Sequence, residues 1–154
     1  MKQKVYVETT VIQYLISYVS EDLVKTAKQR LTQQWWKKHQ PHRSVHVSKW
    51  VLDEIDQDRR ELAPQRKAFA TSLPQLAEAQ EAYGLAARLI RAFYLPEDLH
   101  ADAMHIALAA VHRMDVLLTW NQTHMANIWT RDKLNQCIHD AKFKPPLIAT
   151  PMDF

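Results

Sequence analysis

Short apolar runs alternate with longer segments of helical periodicity along the whole chain. Runs rich in β-branched residues predict strands at residues 5–7, 44–48, 115–119 and 147–150. Between them, apolar positions recur at helical spacing, which predicts helices at 9–19, 20–39, 49–58, two within 64–94, then 95–114 and 124–141. Because strands that alternate with helices need crossover connections, the pattern predicts an α/β fold with a mostly parallel sheet covered on both faces.

Polar side chains collect at one edge of this predicted sheet. Glu8 ends the first strand, Glu54 lies about two turns into the helix after the second, and Asn121 follows the 115–119 strand. Asp98 and Asp102 open the helix that leads into that strand. Ligands of parallel α/β sheets bind outside the carboxyl ends of the strands. We therefore expect these side chains to converge there.

Carboxylates brought together from separate elements repel one another unless a cation or a proton compensates them. Oxygen ligands suit Mg²⁺ or Mn²⁺, and such ions polarise phosphoryl oxygens and activate water. The chain has a single glycine, Gly84, so a glycine-rich phosphate loop is excluded. The pattern therefore favours metal-dependent phosphodiester hydrolysis.

Two residues of the 98–110 segment have simpler interpretations. Asp98 and Asp102 are four apart and share a face if both are helical, but Asp98 is equally well placed as a helix cap. His105 lies three residues after Asp102 on the same face, where it is either a ligand of the metal site, as Asp-x-x-His spacing allows, or a half-buried packing histidine. Both alternatives stay open at this point.

Composition and charge add limits of their own. The 154 residues suffice for a single domain, and the net charge of +3 with a pI near 9.0 permits a polyanionic partner. One cysteine, Cys137, excludes an internal disulfide and fits a reducing compartment, and no long apolar segment is present. We expect a cytoplasmic protein with no membrane contact. The segment WWKKHQPHR (35–43) suits RNA by charge and stacking, or else Trp35 packs inward and the lysines complement a helix end.

Four stretches carry a resemblance to a known family. They are VYVETTVIQYL, DEI around Glu54, DLHADAMHIALAAVHRMDVLLTWNQTHMAN and PLIATP, and together they resemble PIN-domain proteins, above all the VapC-like toxins of type II toxin–antitoxin pairs. The resemblance implies one PIN-like domain over 1–154, a three-layer sandwich with a mostly parallel sheet of four to five strands. It further implies an Mg²⁺- or Mn²⁺-dependent endoribonuclease, a cognate antitoxin and a homodimer formed through the N-terminal helices.

The resemblance assigns the family's catalytic and metal-binding acids to Glu8, Glu54, Asp102 and Asn121, and its small hydroxyl residue to Thr9 or Thr10. Glu8 and Asn121 stand where the family usually has Asp. Glu8 keeps the charge but is longer by a methylene, and Asn121 loses a charge, which weakens metal affinity. The alternative is a catalytically weak or inactive PIN-like module that binds RNA or a protein partner.

Overall fold

The computed structural model describes residues 1–93, 95–123, 125, 127 and 130–154. Five parallel strands form one sheet in the order β3-β2-β1-β4-β5. The strands are β1 (Gln3–Val7), β2 (Arg43–Ser48), β3 (Gln75–Leu76), β4 (Val116–Leu118) and β5 (Leu147–Ala149). The predicted α/β class with a parallel sheet is confirmed, and β1 lies at its centre.

Seven helices connect these strands within the described residues. They are α1 (Thr9–Leu15), α2 (Leu23–Lys38), α3 (Lys49–Gln57), α4 (Ala63–Thr71), α5 (Gln80–Phe93), α6 (His100–Val111) and α7 (Arg131–Asp140). The first four pack on one another, and α5 packs on α6 and α7. Right-handed crossovers place these two groups on opposite faces of the sheet. No helix in the described ranges has both the length and the apolar character needed to span a bilayer.

The core lies where the central strands meet helix α6. Residues 103–110 of this helix are all buried, as are Val5, Tyr6 and Val7 of β1. Apart from His105, the buried run that follows Asp102 is apolar and packs in the core, which fixes the first turn of α6 against the carboxyl edge of the sheet. Trp35 is also buried, so the inward-packing interpretation of the 35–43 segment holds for this residue.

Several boundaries differ from the sequence prediction. Helix α1 ends at Leu15 instead of 19, where Ile16 is extended, and the Arg66 guanidinium satisfies the carbonyl oxygens of Gln13 and Ile16 at this end. Strand β3 was not predicted, since two residues are too short to show a period. Helix α7 begins at Arg131 instead of 124; residues 125, 127 and 130 are not helical, and 124, 126, 128 and 129 lie outside the described residues.

The start of α6 corrects the interpretation of Asp98. Pro96 is followed by a 3-10 turn over Glu97–Leu99, and the helix begins only at His100. Asp98 is exposed in that turn, so it shares no helical face with Asp102. The cap position is Leu99, which makes no side-chain cap hydrogen bond, so the capping interpretation of Asp98 is wrong as well.

Gly84 provides a test of the fold that is independent of any function. It lies exposed in the interior of α5 at an ordinary helical φ, and a Cβ built there meets no atom within 4 Å. We expect Gly84→Ala to raise the free energy of unfolding by about 1 kcal/mol, because glycine loses more backbone entropy on folding. The reverse substitution Ala87→Gly, at another exposed position of α5, is the control and should lower the free energy of unfolding by a similar amount. Chemical denaturation measures both, and a destabilised Gly84→Ala would contradict the assigned helix.

Candidate active site

Glu8 occupies the middle of the carboxyl edge, directly after β1. It is the N-cap of α1, and its carboxylate accepts hydrogen bonds from Thr10 N at 3.1 Å and Thr10 Oγ1 at 2.5 Å. Thr119, which follows β4, donates a third through Oγ1 at 2.7 Å. Burial raises the pKa of Glu8, while the charge of His105 and these hydrogen bonds offset part of that rise.

Thr119 links Glu8 to a second pair of candidate residues. Its Oγ1 accepts a hydrogen bond from Asn121 N at 2.9 Å, and Asn121 Nδ2 donates to Asp102 Oδ2 at 3.0 Å. Asp102 lies in the first turn of α6, and the helix leads into β4. The amide of Asn121 therefore acts as a neutral donor to the carboxylate, where an Asp would repel it.

Glu54, from the middle of α3, enters the same region from the other side. Thr9 Oγ1 donates to Glu54 Oε1 at 2.8 Å, and the same oxygen is in ion-pair contact with His105 Nε2. Burial alone would raise the pKa of Glu54, but the hydrogen bond and the charge of His105 outweigh it and lower this pKa. Thr9 and Thr10 thus each hold one acid.

His105 is fully buried and belongs to a continuous chain of hydrogen bonds. Its Nδ1 lies 2.6 Å from the Tyr6 hydroxyl, which lies 2.7 Å from Ser48 Oγ. Burial lowers the pKa of His105, but Glu54, Glu8 and Asp102 outweigh burial and raise it, which favours the imidazolium. In the imidazolium form both ring nitrogens donate, so Nδ1–H would donate to the Tyr6 hydroxyl and leave the Tyr6 O–H to donate to Ser48.

The site therefore has two hydrogen-bonded branches that meet at the Thr9–Thr10 step. One branch contains Glu8, Thr10, Thr119, Asn121 and Asp102; the other contains Glu54, Thr9, His105, Tyr6 and Ser48. All of the proposed site residues except Asp98 lie in these branches. His105 is a buried partner of the acids and not merely a packing residue.

The roles of three residues were missed from sequence. Tyr6 looked like an ordinary apolar strand position, and nothing in the chain marks its hydroxyl as a partner of His105. Ser48 was recognised only as the polar end of the second strand. Thr119 carried the clearest unused signal, because it is a hydroxyl residue that ends the strand beside β1.

Three carboxylates and an amide are the donor types that Mg²⁺ and Mn²⁺ prefer, so the donor chemistry fits such an ion. Among the described residues, however, no three Asp, Glu, His or Cys side chains form a group that could hold a metal as they stand. Glu54 is paired with His105, and the Glu8 carboxylate already accepts hydrogen bonds from Thr10 and Thr119. Direct ligation would require these acids to exchange protein donors for the ion.

Comparisons with known proteins are consistent with this architecture. No protein-family model matches the sequence, and no curated protein matches it. Among solved structures, a chain of VapBC2 from Rickettsia felis, determined bound to a DNA fragment from their promoter, has a TM-score of 0.57 and 12% identity, and the match covers 95% of this chain and 97% of that chain. The likeness shows the fold. The five-stranded parallel sheet flanked by helices agrees with the predicted PIN-like sandwich.

The Tyr6 hydroxyl provides a test of the buried chain. Tyr6→Phe keeps the ring but leaves both Ser48 and the His105 Nδ1 without this partner, and the position is fully buried. We expect a loss of about 2 kcal/mol in the free energy of unfolding, because buried polar groups that lose a hydrogen bond are costly.

The matched control is Tyr83→Phe, whose side chain is 41% exposed, and which should stay within about 0.5 kcal/mol of the wild type. Chemical denaturation at one pH compares the two variants. Equal stabilities for Tyr6→Phe and Tyr83→Phe would show that the chain through His105 contributes nothing to the native state.

Proposed function

We propose that this protein is an Mg²⁺- or Mn²⁺-dependent endoribonuclease of the PIN-domain, VapC-like type, which hydrolyses RNA phosphodiester bonds. The observation that carries the proposal is the convergence of Glu8, Glu54, Asp102 and Asn121, from four separate segments, at the carboxyl edge of β1 and β4. The fold that the chain shares with the VapBC2 structure supports it.

The metal would supply charge for the phosphoryl oxygens and an activated water. Asp102 is the central ligand in this proposal, and Asn121 completes the donor set through its amide oxygen. Glu8 and Glu54 supply the remaining carboxylates, while Thr9 and Thr10 orient them through the observed hydrogen bonds. His105 neutralises part of the acid charge when no metal is bound.

The substituted positions bear on how strongly a metal would bind. The longer side chain of Glu8 folds back onto the first turn of its own helix, where Thr10 N and Oγ1 hold the carboxylate. Asn121 donates to Asp102, which removes one repulsion and one charge from the site. Both features stabilise the metal-free arrangement and therefore weaken the affinity expected for an ion.

The same features favour the second candidate, a catalytically weak or inactive PIN-like module that binds RNA or a protein. Its specific support is that each acid already has donors within the chain. Glu54 is paired with His105, Glu8 accepts from Thr10 and Thr119, and Asp102 accepts from Asn121. The two candidates differ in one measurable property, which is whether a divalent ion binds the native protein.

Titration with Mn²⁺, followed by calorimetry and by thermal melting, separates them. A ligand that binds only the native state at about one hundred times its Kd adds about 2.7 kcal/mol to stability. We expect Asp102→Asn to abolish both the Mn²⁺-induced shift and RNA cleavage. We expect Asn121→Asp to melt earlier without metal, because it places a carboxylate against Asp102, and to bind Mn²⁺ more tightly, because it restores a fourth charge.

Asp98→Asn is the matched control, since it removes the same charge four residues away at an exposed position outside the helix. It should leave both Mn²⁺ affinity and cleavage at the wild-type level. A wild-type protein that shows no shift at millimolar Mn²⁺ would favour the inactive module. An Asp102→Asn protein with wild-type metal affinity would refute the catalytic assignment.

Two partners belong to the same proposal, an antitoxin and a second copy of the chain. The solved VapBC2 complex supports an antitoxin partner. Exposed apolar side chains in the α1–α2 connection and the first turn of α2 support a contact surface in the N-terminal half; these are Tyr18, Val19, Leu23 and Val24, of which Val19 is 88% exposed. Closed two-fold dimers are the commonest oligomers, so we assign this surface to a homodimer.

Light scattering coupled to size exclusion tests the homodimer. We expect a dimer mass for the wild type and a monomer mass for Val19→Asp combined with Leu23→Asp, because two carboxylates cannot be buried unpaired in an apolar contact. Met152→Asp, at an exposed apolar position near the carboxyl terminus, is the control and should remain dimeric. A monomer mass for the wild type would contradict the homodimer.

A further inference from the structure

A small cavity of about 170 Å³ lies among α1, α2 and α4, outside the acid site. Its walls include three cationic side chains, Lys25 from α2, Arg60 from the loop before α4, and Arg66 from α4. Gln13 and Tyr14 of α1 form the side nearest the acids. None of these lining residues belongs to the two hydrogen-bonded branches of the acid site.

The two arginines in the wall are held in place. Arg66 is buried and donates to Asp58 Oδ2 at 3.0 Å, to Ile16 O at 2.8 Å and to Gln13 O at 3.3 Å. Arg60 binds both oxygens of Asp58, at 2.8 and 2.9 Å. Asp58, with a pKa lowered to about 2 by Arg60 and Arg66, is a single carboxylate shared between two guanidinium groups. The positive charge of the pair is therefore only half compensated.

Two lysines of α2 add to this charge. No ion pair of Lys25 or Lys28 occurs in the part of the chain that the structure describes. The Lys28 ammonium lies 5.8 Å from the centre of the Tyr14 ring and 5.5 Å from that of Trp120, so cation–π contacts hold it at the side of the cavity. Three cations thus line the cavity, Lys28 stands behind its Tyr14 wall, and no acidic side chain is among the described residues that line it.

Helix α1 connects this space to the acid site. Thr9 and Thr10 hold Glu54 and Glu8, and Gln13 and Tyr14 follow them by one helical turn, a rise of about 6 Å. Trp120 forms a second connection, because its backbone N–H donates to Thr10 Oγ1 at 2.9 Å and its ring contacts Lys28. Helix α1 and Trp120 therefore link the cavity to the acids.

We propose that this cavity binds a phosphate group of the RNA strand, next to the phosphodiester at the acid site. The inference rests on the proposed ribonuclease function and assigns its substrate a second anchoring point. A phosphodiester carries one negative charge and suits a concave site lined by cations, where the Lys25 ammonium is the donor without an ion pair among the described residues and the two arginines add positive potential. Such a contact supplies affinity and strand position without reading the base sequence.

The competing surface for RNA is the 35–43 segment at the other end of α2. Trp35 is buried there and cannot stack on a base, and helix α2 runs from Leu23 beside the cavity to Lys38 near the start of β2. Lys37 and Lys38 therefore lie towards the opposite edge of the sheet. They provide a control pair on the same helix with the same change in charge.

The test measures binding of a fluorescent single-stranded RNA by anisotropy in EDTA, with the RNA checked for integrity afterwards. The protein variants are Lys25→Gln with Lys28→Gln, and the control Lys37→Gln with Lys38→Gln. We expect the first pair to weaken binding about tenfold and to reduce the steepness of log affinity against log salt by about 0.7, the value for one phosphate contact to a single strand. The control pair should change both quantities much less, and thermal melting should show that both variants fold.

Each outcome decides the proposal. Equal weakening by the two pairs would indicate unspecific attraction and overturn it, and so would stronger weakening by the control pair. Unchanged RNA binding, with inorganic phosphate raising the melting temperature only when Lys25 and Lys28 are present, would make this a free-phosphate site and also overturn it. RNA binding that depends on Lys25 and Lys28 in a protein that never cleaves RNA would support the anchoring point while the ribonuclease proposal fails.

Discussion

The contact between His105 and Glu54 is the interaction on which the rest of the site depends. A fully buried imidazole would ordinarily be neutral, because burial disfavours its charge. Three carboxylates oppose that effect and raise the pKa of His105, and the Tyr6 hydroxyl lies within hydrogen-bond distance of the second ring nitrogen. His105 therefore provides, from within the chain, the positive charge that a cluster of acids requires. Without it, Glu54 and Glu8 would repel each other across the carboxyl edge of the central strand.

The fold brings these residues together through connections that are individually simple. Strand β1 is central, so Glu8 at its end faces the elements that follow β2 and β4 on either side. The apolar run of α6 is buried against the sheet, which presents Asp102 and His105 at the same edge. The first turn of α1 then supplies two hydroxyl groups, one for each branch. Packing of the core and alignment of the site are thus consequences of the same buried helix.

Much of this arrangement could be predicted from the sequence, for reasons that differ between elements. Strands β1, β2, β4 and β5 were apparent because their β-branched runs end abruptly at polar residues. Parallel topology then predicted that one edge of the sheet carries Glu8, Glu54, Asp102 and Asn121. Hydrogen-bond partners were harder, because a tyrosine within a strand gives no sign of which hydroxyl partner it meets. Asp98 was misplaced because a proline-led 3-10 turn and the first turn of a helix have the same local pattern. Strand β3 is defined by its pairing with β2 and not by its own two residues.

Glu8 and Asn121, which stand where Asp was expected, both reduce the electrostatic repulsion within the acid site. Asn121 lowers the number of carboxylates by one and donates to Asp102, while the longer Glu8 reaches the backbone amide at the start of α1. Each change reduces the electrostatic cost of the metal-free state. A metal ion would have to displace hydrogen-bond donors that already stabilise the carboxylates. Its binding free energy is therefore the gain from ligation minus the loss of those hydrogen bonds, which is smaller than the attraction of an ion for unpaired carboxylates. A neighbouring cluster of lysines and arginines would then contribute a larger share of the affinity for RNA, because contacts to the phosphates of the strand form without the metal.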